Sequence, residues 1–310
     1  ISSRHFPEDV QDSFLVNQSI GFHGTRWCST EVSGSGWSAA AMPKDLVDCS
    51  DTNFRPVAME IGPDGALYIV DWCNPIIGHM QYNVRDPRRD HMHGRVWRVR
   101  HVERDFVDPP AIADTAPELL AQLRIPERNT RQHARRRLQT MEPKDVFPDL
   151  TSWVASLDPA DPLHDRMLLE SLWIHQAHGR LDLDLLDRVA TANEPRARAG
   201  AVRVLRHWLQ QGVVSDNDGL TRLERAASDD DMRVRLEAAV AAGFVRDVAG
   251  AAVAGLAASM EMDEAMRISV QETLVHLEKY GEPQSDIVRR LRLERICLLY
   301  TSPSPRDRSL

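Results

Sequence analysis

Hydrophobic and polar positions follow two rhythms along the chain, and the rhythm changes just beyond residue 100. Before the change, short segments alternate with a period of two. In RPVAMEI (55–61), Val57, Met59 and Ile61 fall on one side and Ala58 and Glu60 on the other. GPDG (62–65) then places Pro and Gly for a tight turn, and ALYIVDW (66–72) is almost wholly apolar. This combination predicts a hairpin over 56–72 whose second strand is buried on both faces. Upstream, DSFLVNQSIG (12–21) and GTRWCSTEVSGSGWSAAA (24–41) predict further short strands, with a Gly/Ser turn at 34–36; downstream, GRVWRVRH (94–101) predicts another. Short strands joined by such turns suggest a sandwich, barrel or propeller, and their number suits one or two propeller blades rather than a closed ring.

From about residue 113 the apolar positions recur at helical spacing. Arg131, Arg166, Arg198, Arg235 and Arg267 each stand three residues before a small or apolar residue: Ala134, Leu169, Ala201, Ala238 and Val270. The arginines are 35, 32, 37 and 32 residues apart. Acidic or Pro-containing turns precede several of them, as in ANEPRARAGAVRVL (192–205) and SDDDMRVRLEAAVA (228–241). Paired amphipathic helices at that period predict an α-solenoid of HEAT-like repeats, each burying its apolar face on its neighbours. The arginines are read as ion pairs along the stack. The basic run RQHARRRL (131–138) is read as a solvated face of the first repeat.

Composition narrows the function. The 310 residues carry a net charge of −8, which argues against nucleic acid as a partner. No apolar run is long enough to span a bilayer. Cys28, Cys49, Cys73 and Cys297 form neither CxxC nor CxxCH, so the chain holds no zinc ribbon and no c-type haem attachment motif. Cys28 and Cys49 are read either as a disulfide or as buried thiols. The chain opens on Ile rather than Met and reads as a fragment. CLLYTSPSPRDRSL (297–310) shares nothing with the helical sequence before it and reads as an artefactual or disordered tail.

The densest chemistry is RDPRRDHMHGRVWRV (85–99). Pro87 predicts a turn and Gly94 a free backbone before the strand. Asp86 and Asp90 lie within reach of Arg85, Arg88 and Arg89, so charge pairing is expected to hold the loop. His91 and His93 share one face if the segment is extended. Histidine suits proton transfer because its pKa lies near neutrality, and arginine suits stabilisation of a developing anion. The stretch is therefore read as a structural loop with a second role as one wall of a ligand site. His91 and His93 are its candidate catalytic residues. Arg85, Arg89 and Asp90 are its candidate cofactor- or substrate-binding residues.

The segment DTNFRPVAMEIGPDGALYIVDWCNPIIGHMQYNVRDPRRDHMHGRVWRV (51–99) resembles the closing blade of the large exported planctomycete proteins called membrane-bound dehydrogenases, which are similar to the sorbosone and glucose dehydrogenase β-propellers. In that family a propeller precedes HEAT-like repeats and, usually, a c-type cytochrome domain. The resemblance implies a β-plus-α architecture: an incomplete propeller over 1–104, then a HEAT-like solenoid over 113–296. It also implies an exported, periplasmic or cell-envelope oxidoreductase acting on a sugar or alcohol. Pyrroloquinoline quinone (PQQ) would be the hydride acceptor, and haem c would lie in a C-terminal region absent here. Cys73 departs from the family, which often has His in this turn.

Two other readings stand beside it. One is a non-enzymatic propeller and solenoid scaffold that binds polysaccharide, or a protein partner on the solenoid. The other is a metal-assisted hydrolase or lactonase, for which Asp71, Asn74, His79 and Asp90 are the ligands on offer. The repeat register itself makes a prediction. Ala238 falls in a helix–helix seam, so Ala238→Glu should cost a few kcal/mol by burying an unpaired charge. An unchanged melting temperature would mean that the register is wrong.

Overall fold

Seven strands precede ten α-helices in the computed structural model, which describes residues 1–77 and 85–281. The class is mixed β plus α. The strands form two small antiparallel sheets, neither closed on itself. The first contains β1 (Phe14–Gln18), β2 (Gly24–Ser33), β3 (Gly36–Ala41) and β4 (Val47–Asp48), in the order β1-β2-β3 with β4 paired to β2. The second contains β5 (Pro56–Ile61), β6 (Leu67–Asp71) and β7 (Arg95–Val99), in that order.

The predicted hairpin is β5–β6. Its turn needs Gly65, which sits at φ +80°, and a Cβ there would come within 2.7 Å of the Ser3 hydroxyl oxygen. Two expectations change. Register shifts between Pro56 and Ala58, so Val57 bulges out of the alternation and is exposed. And β6 is buried on one face only. Leu67, Ile69 and Asp71 point inward, whereas Val70 pairs with Val96 on a face open to solvent. Three antiparallel strands with one covered face require no more than that.

The chain divides into two compact units. The first is Ile1–Glu31 with Trp37–Asp149. Its core is Phe6, Val10, Phe54, Ile61, Leu67 and Ile69. The helices α1 (Ala116–Gln122) and α2 (Arg128–Thr140) belong to this unit, so the change from strand to helix and the division between units are different places in the chain. Buried Glu127, the residue before α2, accepts from the backbone N–H of Arg4 (2.9 Å) and from its guanidinium (2.9 Å). Buried His5 links Asp105 and His101: Nδ1 lies 2.8 Å from the Asp105 carbonyl, and Nε2 accepts from the His101 N–H at 3.0 Å.

The second unit comprises Val32–Gly36 and the chain from Leu150 onward, with α3 (Pro143–Ser156) crossing the division. It contains α4 (His164–Ala177), α5 (Leu183–Ala190), α6 (Pro195–Gln211), α7 (Asp216–Ala227), α8 (Met232–Ala242), α9 (Gly250–Ala257) and α10 (Glu264–Leu277). α4, α6, α8 and α10 pack side by side in one row, and α5, α7 and α9 lie against them. Small residues set the spacing. Ala201, Ala238 and Ala239 are buried, and a Cβ on Gly200 would come within 2.7 Å of Leu169. Asp182, Ser215, Asp231 and Asp263 cap their helices, each side chain accepting a backbone N–H of the first turn.

The recurring arginine has a definite role in three helices. It is the fourth residue of α2, α6 and α8, and its Nη1 donates to the carbonyls six and five residues earlier. Arg131 reaches Ile125 (2.8 Å) and Pro126, Arg198 reaches Ala192 (2.9 Å) and Asn193 (3.1 Å), and Arg235 reaches Asp229 (2.8 Å) and Asp230 (3.0 Å). Each guanidinium thus closes the loop that leads into its own helix, taking up carbonyls that have no helical partner. Of these three, Arg198 also makes an ion pair of the expected kind, to both carboxylate oxygens of Asp229, at 2.7 and 2.8 Å. Arg267, at the same place in α10, pairs instead with Glu264 on its own helix (2.7 Å).

Arg235 is 3% exposed and also donates to the Glu261 carbonyl (2.8 Å). Arg235→Met keeps most of the volume and strands three carbonyls, so it should cost about 2–4 kcal/mol in urea unfolding. Arg267→Met, at an exposed ion pair, should cost under about 1 kcal/mol. Equal losses for the two would contradict the loop-closing role.

Candidate functional site

The loop singled out by its charge lies in the first unit, and its geometry begins at Asp71. This carboxylate ends β6 and is 1% exposed. It accepts four hydrogen bonds: from the N–H of Arg55 (2.7 Å), the N–H of Cys73 (2.8 Å), Nε of Arg95 (2.6 Å) and Nε1 of Trp97 (3.0 Å). Burial pushes its pKa up, but the donors outweigh burial and hold it below the usual carboxylate range. Arg95 bridges onward to Asp51 at 2.7 Å.

Asp71 holds Cys73 in the left-handed region at φ +51°, a conformation that costs a residue with a Cβ free energy. The turn that follows is tied down by Arg55, a buried guanidinium. It donates to the carbonyls of Ser19 (2.7 Å), Asn74 (2.9 Å) and Pro75 (3.2 Å) and meets His23 Nε2. Asn74, buried in this turn, then donates Nδ2–H to the Asp90 carbonyl at 3.0 Å. A continuous series of contacts therefore runs from the sheet core to the candidate loop.

Within the loop, Pro87 occupies the second position of a turn closed by Arg89 N–H to Asp86 carbonyl (3.0 Å). Asp86 also accepts from Arg88, through its N–H (3.0 Å) and its guanidinium (2.9 Å), which lowers the Asp86 pKa to about 2. The expected pairing thus holds for Asp86. Asp90 differs: it accepts from the N–H of Met92 (2.9 Å) and from His93 Nδ1 (2.8 Å), and these donors lower its pKa. Three-residue spacing curls His93 back onto Asp90. Gly94 has ordinary φ and room for a Cβ, so the backbone freedom expected of it is not used.

An open depression of about 490 Å³ lies beside this loop, with Asn53, Cys73 and Pro75 on one side and residues 88–93 on the other. It brings together four of the five residues picked out from sequence: Arg89, Asp90, His91 and His93. Arg85 is exposed and does not line it. Arg89 is 9% exposed and donates to the Ile76 carbonyl (3.2 Å). His91 is exposed. His93 Nδ1 lies 2.8 Å from Asp90, and a neutral ring with its proton there would present Nε2 as an acceptor at the rim. Sequence reasoning missed Asn53 and the Arg55–His23 contact, since neither lies in a charged run.

Other residues named from sequence are engaged structurally. Asp71 and Asn74 are consumed by the contacts above, and His79 lies outside the described residues. Among the described residues no group of three or more His, Cys, Asp or Glu side chains is placed to hold a metal ion. Cys28, Cys49 and Cys73 are free thiols and each is half-buried, so Cys28 and Cys49 form neither the disulfide nor the buried thiols expected; Cys297 and the tail 297–310 lie outside the described residues. No described helix is long and apolar enough to cross a membrane.

Among known proteins, a family model described as a domain of unknown function, DUF7133, matches residues 2–103. No curated protein matches the chain. The family match spans both sheets and the whole of the loop, and ends before α1.

Asp71 makes a pH prediction with a definite sign. Its folded pKa lies below its ordinary value of 3.8, so its contribution to stability is complete above that value and is lost as pH falls through the folded pKa. Urea titrations between about pH 5 and 2 should show the first unit losing stability with acid. Asp71→Asn should lower stability at pH 7 and flatten part of that acid limb. An acid limb of unchanged slope in the variant would contradict the assignment.

Proposed function

We propose that the chain belongs to an exported, dehydrogenase-like protein of the cell envelope that oxidises a sugar or alcohol, with His93 as proton acceptor. In this reading the strands of 1–104 are the last one to two blades of an incomplete β-propeller, and 113–296 is a HEAT-like α-solenoid. The observation that carries the reading is the Asp90–His93 pair at the rim of the depression (2.8 Å). A two-electron acceptor, a quinone in the family that the sequence resembles, would take the hydride of a carbinol carbon, and the hydroxyl proton must go to a base. His93 Nε2 is available for it, and Asp90 stabilises the imidazolium that results. Asn74 and the Asp71 cluster position Asp90 from behind.

PQQ is polyanionic and needs cations. Arg88 is committed to Asp86, and Arg89 donates to a carbonyl and is nearly buried. The described residues do not by themselves form a quinone cradle. The role assigned to this chain is the proton's alone. Haem c has no CxxCH here to hold it.

The test uses the complete gene product and dye-coupled oxidation of a panel of sugars and alcohols. His93→Gln should lower kcat by about 10²–10³-fold with an unchanged melting temperature, because the side chain is exposed. Asp90→Asn should lower kcat less and shift the pH profile. Full turnover in His93→Gln would overturn the proposal. Saturable polysaccharide binding with no turnover in the wild type would favour the scaffold reading, for which the openness of the depression is the supporting observation.

A further inference from the structure

A second cavity lies wholly within the helical unit. It encloses about 110 Å³ where α5, α6 and α7 meet. Its lining is mainly aliphatic: Leu186 from α5, Ala201, Val202 and Leu205 from α6, and Ala226 from α7. The space has a simple origin. Ala201 and Ala226 end at Cβ, so the seam between the three helices is not filled. Ala190, the last residue of α5, stands exposed at its rim.

Charge makes this more than a packing defect. Three guanidinium groups border the cavity: Arg198, Arg222 and Arg225. Arg198 is held by both oxygens of Asp229, at 2.7 and 2.8 Å. Arg222 is held in the same way by Asp187, at 2.8 and 2.9 Å. Arg225 is exposed, and its side chain makes no hydrogen bond or ion pair among the described residues. Three positive groups against two negative ones leave one net positive charge at the mouth of an apolar cavity, and Arg225 carries it.

We propose that this cavity binds a small branched aliphatic group bearing one carboxylate. The branch fills the aliphatic interior, and the carboxylate meets Arg225 at the rim. Size supports the match: an apolar cavity of roughly 150 Å³ takes a benzene-sized guest, so this one suits four or five carbons. Arginine's forked donors match a carboxylate. The pairs Arg198–Asp229 and Arg222–Asp187 flank the site and keep its walls apart without taking the ligand's charge. The same chemistry is offered by a free short-chain acid and by the C-terminal leucine or valine of a peptide.

The experiment titrates the 310-residue chain with 3-methylbutanoate, its amide, and N-acetylglycyl-leucine with a free or amidated C-terminus, read by ligand-observed NMR. The acid should bind saturably. Its amide should bind about tenfold more weakly, as should the acid to Arg225→Gln, since each loses one charge-assisted contact. Ala190→Leu, at an exposed position, should abolish binding by covering the rim. Tighter binding of the free-ended dipeptide than of the acid supports the site and identifies a chain terminus as its source. Weaker binding supports it and identifies a free acid. Absence of saturable binding by any probe, or binding unchanged in both variants, would overturn the proposal. Both variants change exposed residues, and unchanged melting temperatures confirm that they fold.

Discussion

One buried carboxylate organises the first unit. Asp71 sits at the end of the central strand of its sheet, where burial alone would favour the neutral form. Four donors from three parts of the chain converge on it: the residue before β5, the turn after β6, and two side chains of β7. Removing any one of them leaves charge in a place with little water, which costs more than the hydrogen bond itself contributes. The same carboxylate holds Cys73 in its left-handed conformation, and so sets the direction in which the chain leaves the sheet. Asn74 follows in that turn and anchors the Asp90 backbone. The core thus anchors the Asp90 backbone, and the loop's own hydrogen bonds set the Asp90 side chain.

The helical unit uses the same economy of means with a different residue. An arginine one turn into a helix folds back onto the carbonyls of the loop before it. In α6 it also bridges forward to Asp229, and in α8 to the Glu261 carbonyl. A loop so closed needs no hydrophobic content of its own, so the apolar residues are left to the seams between helices. Where alanines line a seam, the helices approach closely. Where alanines meet without a larger partner, as around Ala201 and Ala226, a small cavity remains.

Much of this was legible in the sequence. Alternation over 55–72 gave the hairpin because the turn residues were unambiguous. The arginine register placed Ala201 and Ala238 in the interior because helical period and acidic caps agreed. What alternation does not encode is a one-residue slip, so the bulge at Val57 went unseen. An apolar strand reads the same whether one face is covered or two, which is why β6 was overburied. The charge-rich loop stands out in the sequence, and charge alone predicts arginine partners for both of its aspartates. Asp86 takes the neighbouring arginine, but Asp90 takes His93, because local turn geometry rather than charge alone decides which partner is in reach. The Arg55–His23 contact joins residues 32 positions apart, and no local pattern announces it.

The central claim is that the sheet core, acting through Asn74, orients Asp90 and His93 for proton transfer. The most direct measurement is the tautomer of the His93 ring in the neutral state, from long-range ¹H–¹⁵N correlations of the wild type and of Asn74→Ala. The account predicts that His93 is protonated at Nδ1 in the wild type and that this preference is lost when Asn74 is removed. An Nε2-protonated ring in the wild type, or an Nδ1 preference that survives Asn74→Ala, would contradict it.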